Sequence, residues 1–139
     1  MQKDWIVTQE NMHMIAQEIV DQLPKIITLS GPLGAGKTTL VQNILTILGV
    51  TEPVQSPTYA YVTTYITAMG LKIFHFDLYR LRNVQDFMDA GFEEYLYQAN
   101  SLCLIEWPDS IESLLTHDVC KITLQYEGTE KRHIEVTFI

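Results

Sequence analysis

The stretch "KIITLSGPLGAGKTTLVQNILTILG", residues 25–49, decides how the chain folds. Its first six residues form an apolar, β-branched run of strand length, which reads as a buried central strand. A glycine-rich segment follows at once. Then Leu40, Val41, Ile44, Leu45 and Leu48 recur at helical spacing, and Gly49 can end that helix in a left-handed cap. Within this strand–loop–helix context Gly31, Gly36, Lys37 and Thr38 fill the pattern G-x-x-x-x-G-K-S/T. Four fixed positions match by accident in well under roughly 1% of chains this long, so the loop is a strong signal for phosphate binding.

Glycines let a backbone wrap an anion with no side chains in the way, and the helix start adds unpaired N–H groups and the positive end of a dipole. Gly34, Ala35, Gly36, Lys37, Thr38 and Thr39 are the expected donors, because Pro32 has no N–H. Lys37 is expected to reach the β- and γ-phosphates, and the Thr38 hydroxyl to bind Mg²⁺.

Phosphoryl transfer also needs a carboxylate for the metal and a group to orient water. Glu106 ends the apolar strand "LCLI", where it emerges at the carboxyl edge of a sheet, the usual ligand crevice. Asp77 stands near the end of another strand. Period two places it with Ile73 and His75 on one face, and Phe74, Phe76 and Leu78 on the other. His75 reads equally well as a core histidine.

Around these elements the chain reads as follows. A short strand at Trp5–Val7 leads to Thr8 as N-cap of a helix carrying Met12, Ile15, Ala16, Ile19 and Leu23, closed by Pro24. Residues 50–57, with Pro53 and Pro57, form a loop. Residues 59–66 and 71–78 form a β-hairpin across "AMG". One or two short helices surround Gly91, "DSIESLL" is a further short helix, and 119–126 with 132–138 close the chain as a hairpin across "EGTEK". The expected fold is α/β: one P-loop NTPase-like domain spanning 1–139, with a mixed, mainly parallel sheet, antiparallel hairpins and flanking helices.

Composition narrows the function. The chain has 139 residues, of which 47% are hydrophobic, as a packed globule requires. Charged or polar residues interrupt every apolar run before membrane-spanning length, and no secretory signal is visible. Two cysteines without metal-type spacing fit a reducing cytoplasm. With 9 basic against 17 acidic residues, the protein is not expected to hold nucleic acid by its own field. No Lys or Arg lies between Arg82 and Lys121, where eight acids fall, and this reads as a solvated acidic face. The GTPase signatures D-x-x-G and N-K-x-D are absent, so ATP is the expected nucleotide. An arginine-bearing lid is absent too, which weakens a small-molecule kinase.

Four segments together, "GPLGAGKTT" (31–39), "SPTY" (56–59), "HFDLYRL" (75–81) and "EWP" (106–108), resemble in order and spacing the TsaE family, formerly YjeE. The likeness covers nearly the whole chain. It implies a small ATPase of bacterial tRNA threonylcarbamoyladenosine synthesis that binds ATP and Mg²⁺, hydrolyses slowly alone, and works with TsaD and TsaB. Transfer-RNA would be met only through that complex. By this resemblance Gly31 to Thr39 is the phosphate site, Thr38 a Mg²⁺ ligand, and Thr58 the threonine of a switch-like segment near the γ-phosphate. Asp77 matches the Walker B-like acid, Glu106 the glutamate near the metal, and Trp107 an aromatic with a packing or partner role. The family often carries an acid where Pro32 stands. Segments near Thr8 and Lys131 are the candidates for contacting adenine. Two classes of function follow: a hydrolytic enzyme, or a binding module switched by its nucleotide.

Overall fold

The computed structural model describes residues 2–53 and 61–139. Among these, seven strands build one sheet: β1 (Gln2–Thr8), β2 (Ile26–Ser30), β3 (Val62–Ile66), β4 (Lys72–Asp77), β5 (Ser101–Glu106), β6 (Val119–Glu127) and β7 (Lys131–Phe138). Their spatial order is β1-β7-β6-β2-β5-β4-β3. β6, β2, β5 and β4 run parallel, while β3 and the β7–β1 pair add on antiparallel at the two sides. The sheet is therefore mixed, with its parallel pairings at the centre.

The burial of β2 explains its composition. Ile27 and Leu29 pack on one side with α1 (Met12–Asp21) and α2 (Lys37–Ile47), while Ile26 joins the opposite layer. A strand covered on both faces has no use for polar alternation. β5 repeats the scheme, with Leu102 and Leu104 on the α1/α2 side and Cys103 and Ile105 on the other. That second layer is aromatic: Phe76 is fully buried against Phe87 of α3 (Val84–Asp89), Phe92 and Tyr95, with ring centroids 5.6–5.9 Å apart. Each such pair adds about 0.5–1.5 kcal/mol beyond area burial. The alternation expected along β4 holds, since Ile73 faces the first core and Phe74, Phe76 and Leu78 the second.

Several boundaries differ from the sequence expectation. The first strand is longer, because all of Gln2–Thr8 pairs with β7. A 3-10 turn, Gln9–Asn11, separates Thr8 from α1, and the Thr8 side chain makes no capping bond. Leu23 is not on the helical face: it follows the C-cap with φ +52° and is 85% exposed. Pro24 then prevents continuation. "DSIESLL" winds as a 3-10 helix, Asp109–Leu114, and not as an α-helix. The 50–57 loop and the start of the 59–66 strand lie partly outside the described residues. Among those described, no helix is long and apolar enough to cross a membrane.

Candidate functional site

The parallel registers bring the chemistry together. Leu29 of β2 is level with Glu106 of β5, and Glu106 is level with Asp77 of β4. The carboxyl ends of three neighbouring strands thus reach one line, with the glycine-rich loop leaving β2 just beyond it. α2 begins there at Lys37, behind Gly36 (φ +106°), which has no side chain to cap it. Its first N–H groups, which no helix can pair internally, are left for an external acceptor.

A cavity of about 290 Å³ opens at this point, lined by Gln9, Leu33, Gly34, Gly36, Lys37, Thr38, Thr39, Asp77, Glu106 and Trp107. It joins eight of the residues singled out from sequence. Gly31 and Ala35 do not line it. Gly31 lies beneath, where a Cβ would press on the backbone of Leu124. Ala35 is fully buried, its N–H donates to Pro32 O (3.2 Å), and its carbonyl accepts from Arg132 Nε (3.2 Å). Thr58 lies outside the described residues.

Lys37 is only 6% exposed. Its ammonium donates to the carbonyls of Gly31 and Pro32 and sits 4.0 Å from the centre of the Trp107 ring. Burial lowers its pKa, and the nearby Glu106 and Asp77 oppose that fall. Burial likewise raises the Asp77 pKa; the Tyr79 N–H it accepts (3.0 Å) pulls the other way, and Glu106 adds to the rise. A cationic side chain and two carboxylates therefore share one partly desolvated space. Thr38 is exposed on the first turn of α2 beside them.

The donor set fits a polyphosphate with a divalent cation. A Cβ at Gly34 would fall 2.7 Å from the Tyr126 hydroxyl, and one at Gly36 2.8 Å from Met12 Cε, so the cradle admits only glycine without displacement. Two adjacent carboxylates and a hydroxyl are oxygen ligands of the kind Mg²⁺ takes.

Eight acids fall between Arg82 and Lys121, and of these only Glu106 is buried. Its Oε2 accepts a 2.7 Å hydrogen bond from His75 Nε2, and His75 itself is 1% exposed. The even reading of His75 thus resolves into both: it is a core residue, and its polar contact is with the site.

Three neighbours had no signal in the sequence. Tyr126 donates through its hydroxyl to Leu33 O (2.8 Å), the Arg132 guanidinium stacks over the Tyr126 ring at 4.6 Å, and Gln9 Nε2 donates to Thr39 Oγ1 (3.0 Å). They flank the loop on the β1–β7 side, near both segments expected to meet adenine. Only the sheet order makes them neighbours.

A second cavity, of about 410 Å³, is also lined by Trp107, with Leu78, Tyr79, Leu81, Arg82, Asp109 and Ser110. An apolar hollow at the opposite end of the strands, among Val20, Leu23, Leu48 and Leu71, has Lys25 as its cation. That ammonium already donates to the carbonyls of Gln98 and Ser101.

Comparison with known proteins follows the same direction. The model of the family described as threonylcarbamoyl adenosine biosynthesis protein TsaE matches residues 6–134. The tRNA threonylcarbamoyladenosine biosynthesis protein TsaE of Bacillus subtilis is 34% identical, over 82% of this chain and 70% of the relative. That of Haemophilus influenzae is 38% identical, over 80% and 68%. Among solved structures, Bacillus subtilis YdiB superposes with a TM-score of 0.78 and 30% identity, covering 100% of this chain and 86% of that one.

Proposed function

The chain belongs to the TsaE family of tRNA threonylcarbamoyladenosine biosynthesis, and on that premise we propose that it binds ATP with Mg²⁺ and hydrolyses it in the cytoplasm, acting with TsaD and TsaB. The observation that carries this is the line of Asp77, Glu106 and the loop at the head of α2, with the buried Lys37 among them.

The free N–H groups at the start of α2, with the loop from Gly31 to Thr39, hold the phosphates, and Lys37 balances charge on the β- and γ-phosphates. Its low exposure makes that attraction stronger than a surface lysine offers, since little water screens it. Thr38, Asp77 and Glu106 hold the metal, directly or through water. Mg²⁺, when bound, neutralises charge that develops on the phosphoryl oxygens. Glu106, buried and fixed by His75, is the carboxylate best placed to orient water, while Asp77 is the more open of the two. By the family resemblance Thr58, outside the described residues, is the candidate for the γ-phosphate side.

The direct test is ATP hydrolysis with and without Mg²⁺, in the wild type and in Glu106→Gln. The variant is expected to bind ATP with nearly wild-type affinity and to lose turnover. A wild-type rate from it removes Glu106 from the mechanism, and a wild-type chain that takes up no ATP by calorimetry removes the proposal. Pull-down of TsaD and TsaB with ATP, ADP or no nucleotide addresses the switch: recovery that depends on the nucleotide supports it, and equal recovery rejects it.

A further inference from the structure

We infer that His75 is a positioning residue for the nucleotide site, holding one oxygen of Glu106 so that the other is presented in a fixed direction. This deepens the reading above and rests on it.

His75 and Asp77 are alternate residues on one face of β4, and Asp77 is level with Glu106 while His75 is level with Leu104. The imidazole therefore lies one pleat behind the carboxylate, diagonal to it and away from the cavity mouth. There it is 1% exposed and donates from Nε2 to Glu106 Oε2 at 2.7 Å. Among the described residues Nδ1, also buried, has no hydrogen-bond partner, so Glu106 is the one group there that the ring is seen to hold. A histidine kept only to fill space would gain by being leucine, which leaves no ring nitrogen unpaired.

Stability is a poor explanation for the pair. Removing two polar groups from water costs about what their attraction returns, and apolar replacements of buried pairs are often neutral or better. Orientation is the better one. Carboxylates around a metal are themselves held by outer hydrogen bonds, and losing such a partner typically lowers metal affinity or activity by about 10–100-fold. The two acids here share that plan, since Asp77 Oδ1 is held by the Tyr79 N–H as Glu106 Oε2 is by His75. In each, one oxygen is anchored from the protein side.

His75→Leu and His75→Gln separate the roles, because glutamine returns an N–H donor at similar reach and leucine returns only volume. Calorimetric ATP affinity is measured with and without Mg²⁺, alongside kcat, after circular dichroism has confirmed folding. His75→Leu is expected to bind ATP without Mg²⁺ within about twofold of wild type, and to lose about 10–100-fold in the Mg²⁺ enhancement and in kcat. His75→Gln is expected to recover most of both. A folded His75→Leu with wild-type Mg²⁺ response overturns the assignment, as does a folded His75→Gln that loses it. If the leucine variant does not fold, His75→Met, which also fills the space without an N–H donor, takes its place. A wild-type chain that binds no ATP with Mg²⁺ refutes the proposed function instead, whereas wild-type binding beside an unaltered leucine variant refutes only this inference.

Discussion

Gly31→Ala compared with Gly49→Ala isolates how tightly the loop is pressed onto the sheet. Both glycines have left-handed φ, +148° and +92°. At Gly49 a Cβ meets nothing within 4 Å. That substitution carries only the backbone cost of about 1–2 kcal/mol, partly offset by about 0.4–1 kcal/mol from a less flexible unfolded chain, so roughly 1 kcal/mol remains. At Gly31 the same Cβ overlaps the carbonyl oxygen of Leu124 and lies 3.2 Å from its carbonyl carbon. Both atoms belong to the backbone of β6, where Leu124 is paired with Ile134 of β7 and cannot rotate away as a side chain could. Overpacking of this kind adds about 1–3 kcal/mol. For a chain of 139 residues, at about 3–4 °C per kcal/mol, Gly31→Ala is expected to melt roughly 3–12 °C below Gly49→Ala. If the loop shifts to relieve the overlap, the Gly31 carbonyl that accepts from Lys37 moves with it, and ATP affinity falls by about tenfold or more, or 1.4 kcal/mol. Thermal melts and calorimetric titration of both variants supply the two readouts. Melting within about 2 °C of each other, together with unchanged ATP affinity in Gly31→Ala, would refute the reasoning.

Three further outcomes can be checked. Leu23→Gly relieves a left-handed φ at an exposed position and is expected to raise the melting temperature by roughly 2–4 °C; a fall would mean the side chain packs. Asp77 has a raised pKa from burial, so the folded state prefers its protonated form, and the resulting cost is absent below the ordinary value of 3.8 and grows as pH rises through the folded one. Asp77→Asn is thus expected to melt above wild type at pH 7, with the advantage shrinking toward pH 4; an advantage constant between pH 4 and 8 contradicts this. Burial pushes the Cys103 and Cys120 thiols up to about 12, which leaves roughly one thiolate in ten thousand at pH 8. Iodoacetamide is expected to label neither in the native protein and both in urea, and native labelling at both would show the burial to be wrong.

The local elements were legible because their causes are local. β2, β5 and α2 are written in runs of apolar residues at period two or 3.6, and "GPLGAGKTT" states its own chemistry. Leu23 misled because it continues the helical period of Ile15, Ile19 and Met12, yet the backbone turns left-handed one residue after the C-cap. Period alone cannot see where a helix stops. The approach of Gln9, Tyr126 and Arg132 to the loop depends on β7 inserting between β1 and β6, a pairing over more than a hundred residues. No spacing records it. Glu106 shows the intermediate case: its place at the end of "LCLI" named it, but its bond to His75 needed β4 to lie beside β5.

Trp107 has a left-handed φ of +57° and is, among the described residues, the one that lines both chambers, one holding Lys37 and the other faced by Tyr79, whose ring lies 4.9 Å away. A change in the orientation of that ring would therefore alter the lining of both chambers at once.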